Sequence, residues 1–211
     1  AYLLSRGLLI SRENDGVDLL RIPSKAVEAM SEGELLQIEK ARRLDITEEV
    51  YFEIIQRKTA SLIAACCAAG AASAGADPDR VELMRSFGEE MGIAFQIKDD
   101  LLDFAPSTVT GKPSGGDVKE RKMTLPLIHT LQSLSTLQRR SMVRGIKRSK
   151  DNPNEAQRIM ERILEGPGMA YAESKMKFHR DRAVALLEPL KDGGAKTALI
   201  ELVDFTISRK K

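Results

Sequence analysis

The amino-acid sequence predicts an all-α protein that forms a single domain. Ala, Leu, Ile, Glu, Lys and Arg dominate its composition, and this mixture favours helices over strands. Apolar residues recur at three- and four-residue steps, whereas no segment alternates between apolar and polar residues over the length of a strand. The 211 residues suit one large domain, and a hydrophobic fraction of 42% is enough to form a core.

The first half of the chain is expected to contain four helices. The first spans about residues 2–11, and after a polar turn the second runs from Ser24 to about Arg43. Thr47 opens the third, which continues through an uncharged, alanine-rich run to Gly75. The fourth begins after a turn at Pro78, a residue that is favoured in the first turn of a helix. It ends near the most unusual stretch of the sequence, residues 95–103.

The second half of the chain begins with a predicted loop. Residues 104–122 are rich in Gly, Pro, Ser and Lys, which are typical of a loop rather than a helix. Loops of this length inside a compact domain are commonly functional. After the loop we expect five more helices, at about 124–133, 135–149, 154–164, 168–190 and 194–208.

The composition also argues against two classes of protein, nucleic-acid-binding proteins and transmembrane proteins. The chain has 33 basic and 31 acidic residues, and this near balance gives no indication of nucleic-acid binding. Residues 59–76 carry no charge, but their Ala, Gly, Ser and Cys content favours a helix packed closely against others over a transmembrane segment. The adjacent Cys66 and Cys67 predict small buried side chains in a reducing compartment, as in a cytoplasmic protein.

Three carboxylates are clustered where the fourth helix ends, namely Asp99, Asp100 and Asp103. Residues three and four apart share a helix face, so these side chains are expected to lie close together. Their position is unfavourable, because a helix C-terminus already carries partial negative charge and the acids repel one another. A divalent cation such as Mg²⁺ would relieve this repulsion. The alternative is a solvated acidic helix end that pairs with Lys98 or nearby arginines.

Two earlier motifs place polar side chains in otherwise apolar helices. Glu34 and Gln37 contribute a carboxylate and an amide to the second helix, where simple surface exposure is the alternative. Lys58 and Thr59 lie where an amphipathic turn meets the uncharged run, so the ammonium could project into a cavity. A lysine whose stem is buried and whose charge reaches solvent is the alternative there.

The predicted loop adds two features that suit an anion. Residues 111–117 form a glycine-rich stretch that contains Lys112, and such a stretch can approach an anion closely. Lys122 comes just before a helix N-terminus, which is itself a favourable end for anions. Acids that hold Mg²⁺ together with several lysines describe a site for a diphosphate.

Five motifs, in this order, resemble those of the trans-isoprenyl diphosphate synthases. They are Gly33-Glu34-x-x-Gln37, Lys58-Thr59-Ala60, Phe95-Gln96-x-x-Asp99-Asp100-x-x-Asp103, Gly111-Lys112-Pro113-x-Gly115-x-Asp117 and Lys122-x-Thr124-Leu125-Pro126. The resemblance covers nearly the whole chain. It implies a helical bundle around a deep central cavity, usually as a homodimer. It also implies an activity, the head-to-tail joining of an allylic prenyl diphosphate to isopentenyl diphosphate with Mg²⁺.

The resemblance assigns a metal and phosphate end to the site. By analogy with the family, the clustered carboxylates bind Mg²⁺ at one end of the allylic diphosphate, and they are Asp99, Asp100 and Asp103. Lys58 and Lys112 are expected to contact the phosphates as catalytic residues. Lys122 resembles a further cation on the phosphate side.

The resemblance also assigns a pocket for the allylic chain. Thr59 and Gln96 are expected to border this pocket as catalytic residues, beside Phe95 of the same motif. Glu34 and Gln37 lie where the family lines its cavity near the reacting carbons. The sequence around them resembles the longer-chain polyprenyl branch more than the farnesyl branch.

The sequence departs from the family in having one aspartate-rich motif instead of two that face each other. The missing motif and the cations that hold isopentenyl diphosphate belong upstream. We therefore expect residues 1–211 to be the C-terminal portion of one polyprenyl synthetase domain and to be inactive alone. A catalytically silent subunit that supports a partner synthase is the alternative, and a terpene cyclase of the same fold is a third. The intact acidic motif argues against the former, and the lysine-rich loop argues against the latter.

Overall fold

The computed structural model describes residues 17–44, 46–106, 108 and 115–210, and these residues form helices without a β-strand. The all-α prediction is therefore confirmed, while the helix predicted at residues 2–11 lies outside the described residues. In chain order the elements are α1 (Val17–Arg43), α2 (Glu48–Ile55), a π-helical turn (Gln56–Ala60), α3 (Ser61–Ser73), α4 (Pro78–Leu102), α5 (Gly116–Lys119), α6 (Leu125–Ser133), α7 (Thr136–Arg148), α8 (Pro153–Leu164), α9 (Gly168–Leu186) and α10 (Gly194–Ser208).

Capping side chains start α2, which leads into the π-helical turn, and α4, which carries the aspartates. The hydroxyl of Thr47 accepts a hydrogen bond from the Val50 amide at 3.4 Å and so begins α2. The carboxylate of Asp77 accepts from the Arg80 amide at 2.8 Å, and Pro78 occupies the first turn of α4. Each cap satisfies an amide that has no partner within its helix, which explains why these starts could be predicted from sequence.

The structure differs from the predicted helix bounds in three places. α1 begins at Val17 rather than at Ser24 and continues through Pro23. Pro23 removes one backbone hydrogen bond, but α1 packs against α2, the π-helical turn and α3, and this packing does not depend on that bond. The predicted third helix is divided by the π-helical turn, and the short helix α5 lies within the predicted loop.

α4 is the central helix, because it packs against α3, α9, α10 and the π-helical turn. Glycines bring it very close to α3. A Cβ atom added to Gly92 would lie 2.6 Å from the Cα of Ala60, and one added to Gly88 would lie 2.8 Å from the Cα of Ala64. Real side chains do not approach so closely, so this spacing requires glycine at both positions. The close contact holds the π-helical turn beside the end of α4.

The uncharged run of residues 59–76 forms the end of the π-helical turn and α3. As predicted, this helix packs closely against its neighbours, with Ala64 and Ala68 buried. The prediction for the cysteines is wrong, since Cys66 is exposed and Cys67 is half-buried. Adjacent residues lie about 100° apart around a helix, so both side chains cannot face the same neighbour. Within the described ranges, none of the helices combines the length and the hydrophobicity that a membrane span requires.

Candidate active site

Asp100 lies at the centre of a buried hydrogen-bond network. It is completely buried, and its carboxylate accepts three hydrogen bonds. The donors are the Tyr51 hydroxyl at 2.8 Å, the Gln96 amide nitrogen at 3.1 Å and the Lys122 ammonium at 2.9 Å. These contacts join α2, α4 and the segment that precedes α6. A buried carboxylate is stable only when its oxygens are satisfied in this way.

Lys122 supplies the positive charge of this network. Its ammonium lies between Asp100 and Asp117 and donates to each at 2.9 Å. Burial opposes the positive charge, but the two carboxylates outweigh it and raise the pKa of Lys122 above its usual range. Burial also raises the pKa of Asp100, against the opposing effect of the Lys122 charge. Burial and the negative charge of Asp100 raise the pKa of the Tyr51 hydroxyl well above its ordinary value.

Asp103 joins the end of α4 to the start of α5. Its carboxylate accepts hydrogen bonds from the backbone amides of Gly116 at 3.0 Å and Asp117 at 3.1 Å. Its own carbonyl accepts from the Gly115 amide at 3.0 Å. Burial and the negative charge of the nearby Asp117 raise the pKa of Asp103, while the two amide hydrogen bonds and Lys122 oppose this effect.

Asp99 has a different partner, which the sequence did not indicate. Arg209, the residue after α10, donates a hydrogen bond to the Asp99 carboxylate and another to the Phe95 carbonyl at 3.4 Å. Its guanidinium also lies 4.1 Å from the centre of the Phe95 ring. The alternative interpretation of the acidic cluster, pairing with a nearby arginine, therefore describes Asp99 in this structure.

The π-helical turn carries Lys58 and brings it to α1. The Lys58 ammonium lies 2.6 Å from the Glu34 carboxylate and donates to the Gln37 side-chain oxygen at 3.3 Å. A Cβ atom added to Gly33 would lie 2.7 Å from the Lys58 backbone nitrogen, so glycine permits this approach. The two motifs that precede the aspartates are thus in direct contact. Short π-helical segments occur frequently at functional sites.

Thr59 connects the turn to the aspartates. Its hydroxyl donates to the Gln96 side-chain oxygen at 2.9 Å, and the Gln96 amide donates in turn to Asp100. A continuous set of polar contacts therefore runs from Thr59 through Gln96 and Asp100 to Lys122, with Lys58 and its α1 partners beside its start. We call this set of five residues, namely Thr59, Gln96, Asp100, Lys122 and Asp117, the polar line. A cavity of about 100 Å³ adjoins it, and Gln37, Tyr51 and Lys122 are among its lining residues.

Sequence reasoning missed three residues of this site. No sequence pattern indicated Tyr51, because a tyrosine on an apolar helix face is expected to pack in the hydrophobic core. Asp117 was part of a motif, but only the structure shows it beside Lys122. Arg209 is 110 positions from Asp99, and no local spacing relates them. Lys112, which was predicted to contact phosphate, lies outside the described residues.

The three aspartates do not converge on one point. In the part of the chain that the structure describes, no three His, Cys, Asp or Glu side chains are arranged as a metal-binding group. Asp99 and Asp103 lie one turn apart, and the side chains of both are partly exposed, whereas that of Asp100 points inward. Mg²⁺ is usually held by one or two carboxylates together with phosphate oxygens and waters, and Asp99 and Asp103 fit that donor set.

Together, the fold and the polar line define a helical bundle of the isoprenoid synthase type. The chain belongs to the polyprenyl synthetase family, whose profile matches residues 1–163. The resemblance in the sequence is thereby confirmed.

Two curated relatives illustrate the range of the family. A short chain isoprenyl diphosphate synthase from Methanothermobacter thermautotrophicus is 38% identical over 181 residues, which cover 85% of this chain and 55% of that protein. The octaprenyl diphosphate synthase of Escherichia coli is 29% identical over 211 residues, which cover 100% of this chain and 65% of that protein. The chain therefore spans less than two thirds of the length of either relative.

Solved structures show the same fold. A polyprenyl synthase from Caulobacter crescentus, crystallised with calcium and isoprenyl diphosphate, superimposes with a TM-score of 0.92 at 33% identity. The match covers 100% of this chain and 64% of that one. A polyprenyl synthase from Roseobacter denitrificans gives a TM-score of 0.89, also at 33% identity, over 98% of this chain and 68% of that one.

Proposed function

We propose that the protein containing this chain is a Mg²⁺-dependent prenyltransferase that makes an all-trans polyprenyl diphosphate. It joins isopentenyl diphosphate head to tail to an allylic prenyl diphosphate. The observation that carries the proposal is the polar line, in which the π-helical turn and the acidic end of α4 are joined through Thr59, Gln96 and Asp100. Relatives named as isoprenyl and octaprenyl diphosphate synthases support the same reaction class.

The reaction consists of one bond broken, one bond made and one proton lost. The allylic C–O bond ionises, and its electron pair leaves with the diphosphate. The double bond of isopentenyl diphosphate then attacks the allylic carbon, which leaves a new carbocation. This carbocation gives up a proton to the released diphosphate, and the electrons of the broken C–H bond form the double bond of the longer diphosphate. Positive charge placed around the departing diphosphate stabilises the transition state, and an apolar pocket keeps water from the allylic carbon.

We assign the metal to the two partly exposed carboxylates of the motif. Asp99 and Asp103 are the proposed direct ligands, because their side chains are partly exposed and they lie on one helix face. Asp100, the third acid of the motif, is proposed to act in the same cluster by holding Lys122, since its oxygens already accept three hydrogen bonds. When bound, Mg²⁺ would neutralise diphosphate charge and so assist departure of the leaving group.

We assign the phosphate contacts to three lysines, Lys58, Lys112 and Lys122. The Lys58 ammonium pairs with Glu34 and donates to Gln37, and its side chain is 37% exposed, so it can reach a ligand. Lys122 is more enclosed, at 29% exposure, and is held by two carboxylates. We therefore propose that Lys122 acts on the diphosphate mainly through the electrostatic effect of its fixed positive charge.

The allylic chain is proposed to lie beside Thr59, Phe95 and Gln96. All three are half-buried, and the hydrogen bond between Thr59 and Gln96 holds the π-helical turn and α4 in register. Glu34 and Gln37 are proposed to border the reacting carbons from α1.

Several properties of the whole protein remain predictions. We infer that residues 1–211 are a portion of one synthase domain, which agrees with their covering 55% to 65% of the curated relatives. A homodimer and a cytoplasmic location follow only from the resemblance and from composition. The silent-subunit alternative is not favoured, because the relatives are named as synthases.

The proposal is tested by replacing Asp99 in the full-length protein. Asp99→Asn should reduce Mg²⁺-dependent turnover of labelled isopentenyl diphosphate by at least about a hundredfold, a loss typical for one electrostatic contact to the transition state. Asp79→Asn removes the same charge from the exposed first turn of the same helix and should leave turnover unchanged. Equal turnover in the two variants would exclude Asp99 from the metal site and contradict the proposed function.

A further inference from the structure

Arg209 contacts the acidic cluster from a part of the chain that no motif includes. It donates to the Asp99 carboxylate and to the Phe95 carbonyl, and its guanidinium lies against the Phe95 ring at 4.1 Å. Phe95 and Asp99 are one helical turn apart on α4. Three contacts of different kinds therefore hold the end of α10 to the end of α4.

These contacts are partly shielded from water. The Arg209 side chain is 15% exposed and that of Asp99 is 39% exposed. An ion pair in this setting is screened less than one on the open surface, and the planar guanidinium can stack on a ring while it donates hydrogen bonds. The next residue, Lys210, is exposed. Arg209 makes these contacts, and the exposed Lys210 offers a matched cation for comparison.

We propose that Arg209 is a positioning residue that acts as the counter-ion of Asp99 in the metal-free protein and releases it when a divalent cation binds. This inference rests on the proposed function, because it takes Asp99 as a metal ligand. A cation bound to Asp99 would lie within a few ångströms of the guanidinium, and like charges at that distance repel strongly in a partly dry site. Metal and Arg209 therefore compete for Asp99.

The competition links metal binding to the C-terminal segment. Breaking the Arg209 contacts costs free energy, and this cost makes the free energy of metal binding less favourable. Because such coupling is reciprocal, metal binding also weakens the attachment of α10 to α4. The same step frees Phe95, which carries both the stacked guanidinium and one of its hydrogen bonds. Loading of the metal would thus open the site beside the proposed allylic pocket.

The test is a Mn²⁺ titration of the full-length protein, followed by the electron paramagnetic resonance signal of free Mn²⁺. Arg209→Ala should tighten Mn²⁺ binding by about three- to tenfold, the range expected for loss of one partly buried competing ion pair. Lys210→Ala removes the same charge from the adjacent exposed position and should leave the affinity unchanged. In the wild type, saturating Mn²⁺ should also accelerate hydrogen exchange of the amides at residues 205–210.

The outcomes separate this inference from the function on which it rests. A titration that is unchanged by Asp99→Asn would overturn both, because Asp99 would not be a ligand. A titration that depends on Asp99 but is unchanged or weakened in Arg209→Ala would overturn the counter-ion role alone. An equal increase in Mn²⁺ affinity in Arg209→Ala and Lys210→Ala would also overturn the counter-ion role. Removal of any nearby positive charge would then be enough to explain the effect.

Discussion

Asp100 shows how one side chain can belong to an acidic motif and still differ from its neighbours. Its carboxylate is completely buried and accepts hydrogen bonds from Tyr51, Gln96 and Lys122, whereas the side chains of Asp99 and Asp103 are partly exposed. Removing one donor from such a group leaves a buried charge less well satisfied, which costs about 1–3 kcal/mol. The motif therefore combines two partly exposed carboxylates with a buried one that fixes the position of Lys122.

The pH dependence of stability tests the role of Tyr51. Its pKa is raised well above 10.0 in the folded protein, so above pH 10 the unfolded chain loses this proton while the folded chain keeps it. Stability should therefore fall as pH rises, by about 1.4 kcal/mol per pH unit for this one proton. Tyr51→Phe should be less stable at pH 7 but should decline less steeply between pH 10 and 11.

The measurement is urea unfolding of both proteins, followed by circular dichroism from pH 7 to 11. Lys122, whose pKa is also raised, adds a decline of the same sign above pH 10.5 in both proteins, so only the difference between them reports on Tyr51. Parallel declines would mean that the Tyr51 hydroxyl ionises as easily in the folded state as in the unfolded one. The proposed burial of this network would then be wrong.

Individual side chains were predictable only where a local pattern identified them. The spacing of Asp99, Asp100 and Asp103 is by itself enough to indicate a charged cluster at the end of a helix. Tyr51 and Arg209 were not predicted, because each contacts the cluster from a distant part of the chain. Tertiary contacts of this kind leave no trace in the periodicity or the capping pattern of one sequence.

At the scale of elements, the site depends on how closely α3 and the π-helical turn approach α4. Gly92 faces Ala60, the last residue of the turn, with no room for a methyl group. The turn itself was not predictable, because five residues of π-helix hardly alter an apolar pattern that extends over a much longer helix. Its effect is nevertheless large, since it orients Lys58 toward α1 and Thr59 toward α4.

Substitution of glycine tests this packing. Gly92→Ala should reduce the free energy of unfolding by about 1–3 kcal/mol, because its methyl group would overlap Ala60 and force the helices apart. Gly70→Ala is the matched control on α3, where an added Cβ has no neighbour within 4 Å, and it should stabilise the protein by up to about 1 kcal/mol. Both values can be measured by urea unfolding. Equal effects of the two substitutions would contradict the close contact.

At the scale of the whole molecule, sequence alone was sufficient for the fold class and for most helix bounds. Capping residues such as Thr47 and Asp77 and the apolar spacing within each helix are local signals, and the structure confirms them. The start of α1 and the short helix α5 were not predicted, because packing and the contacts of Asp103 stabilise them. The order of the motifs identified the family, as the matching profile confirms.

The measurement that tests the central claim most directly is incorporation of labelled isopentenyl diphosphate by the full-length protein, with farnesyl diphosphate as the allylic substrate. With Mg²⁺ we predict a ladder of extractable diphosphates longer than farnesyl diphosphate, and with a chelator in place of Mg²⁺ we predict none. The length of the ladder would identify the product. Release of unlabelled hydrocarbon or alcohol, or no labelled product with Mg²⁺ present, would contradict prenyl transfer as the function.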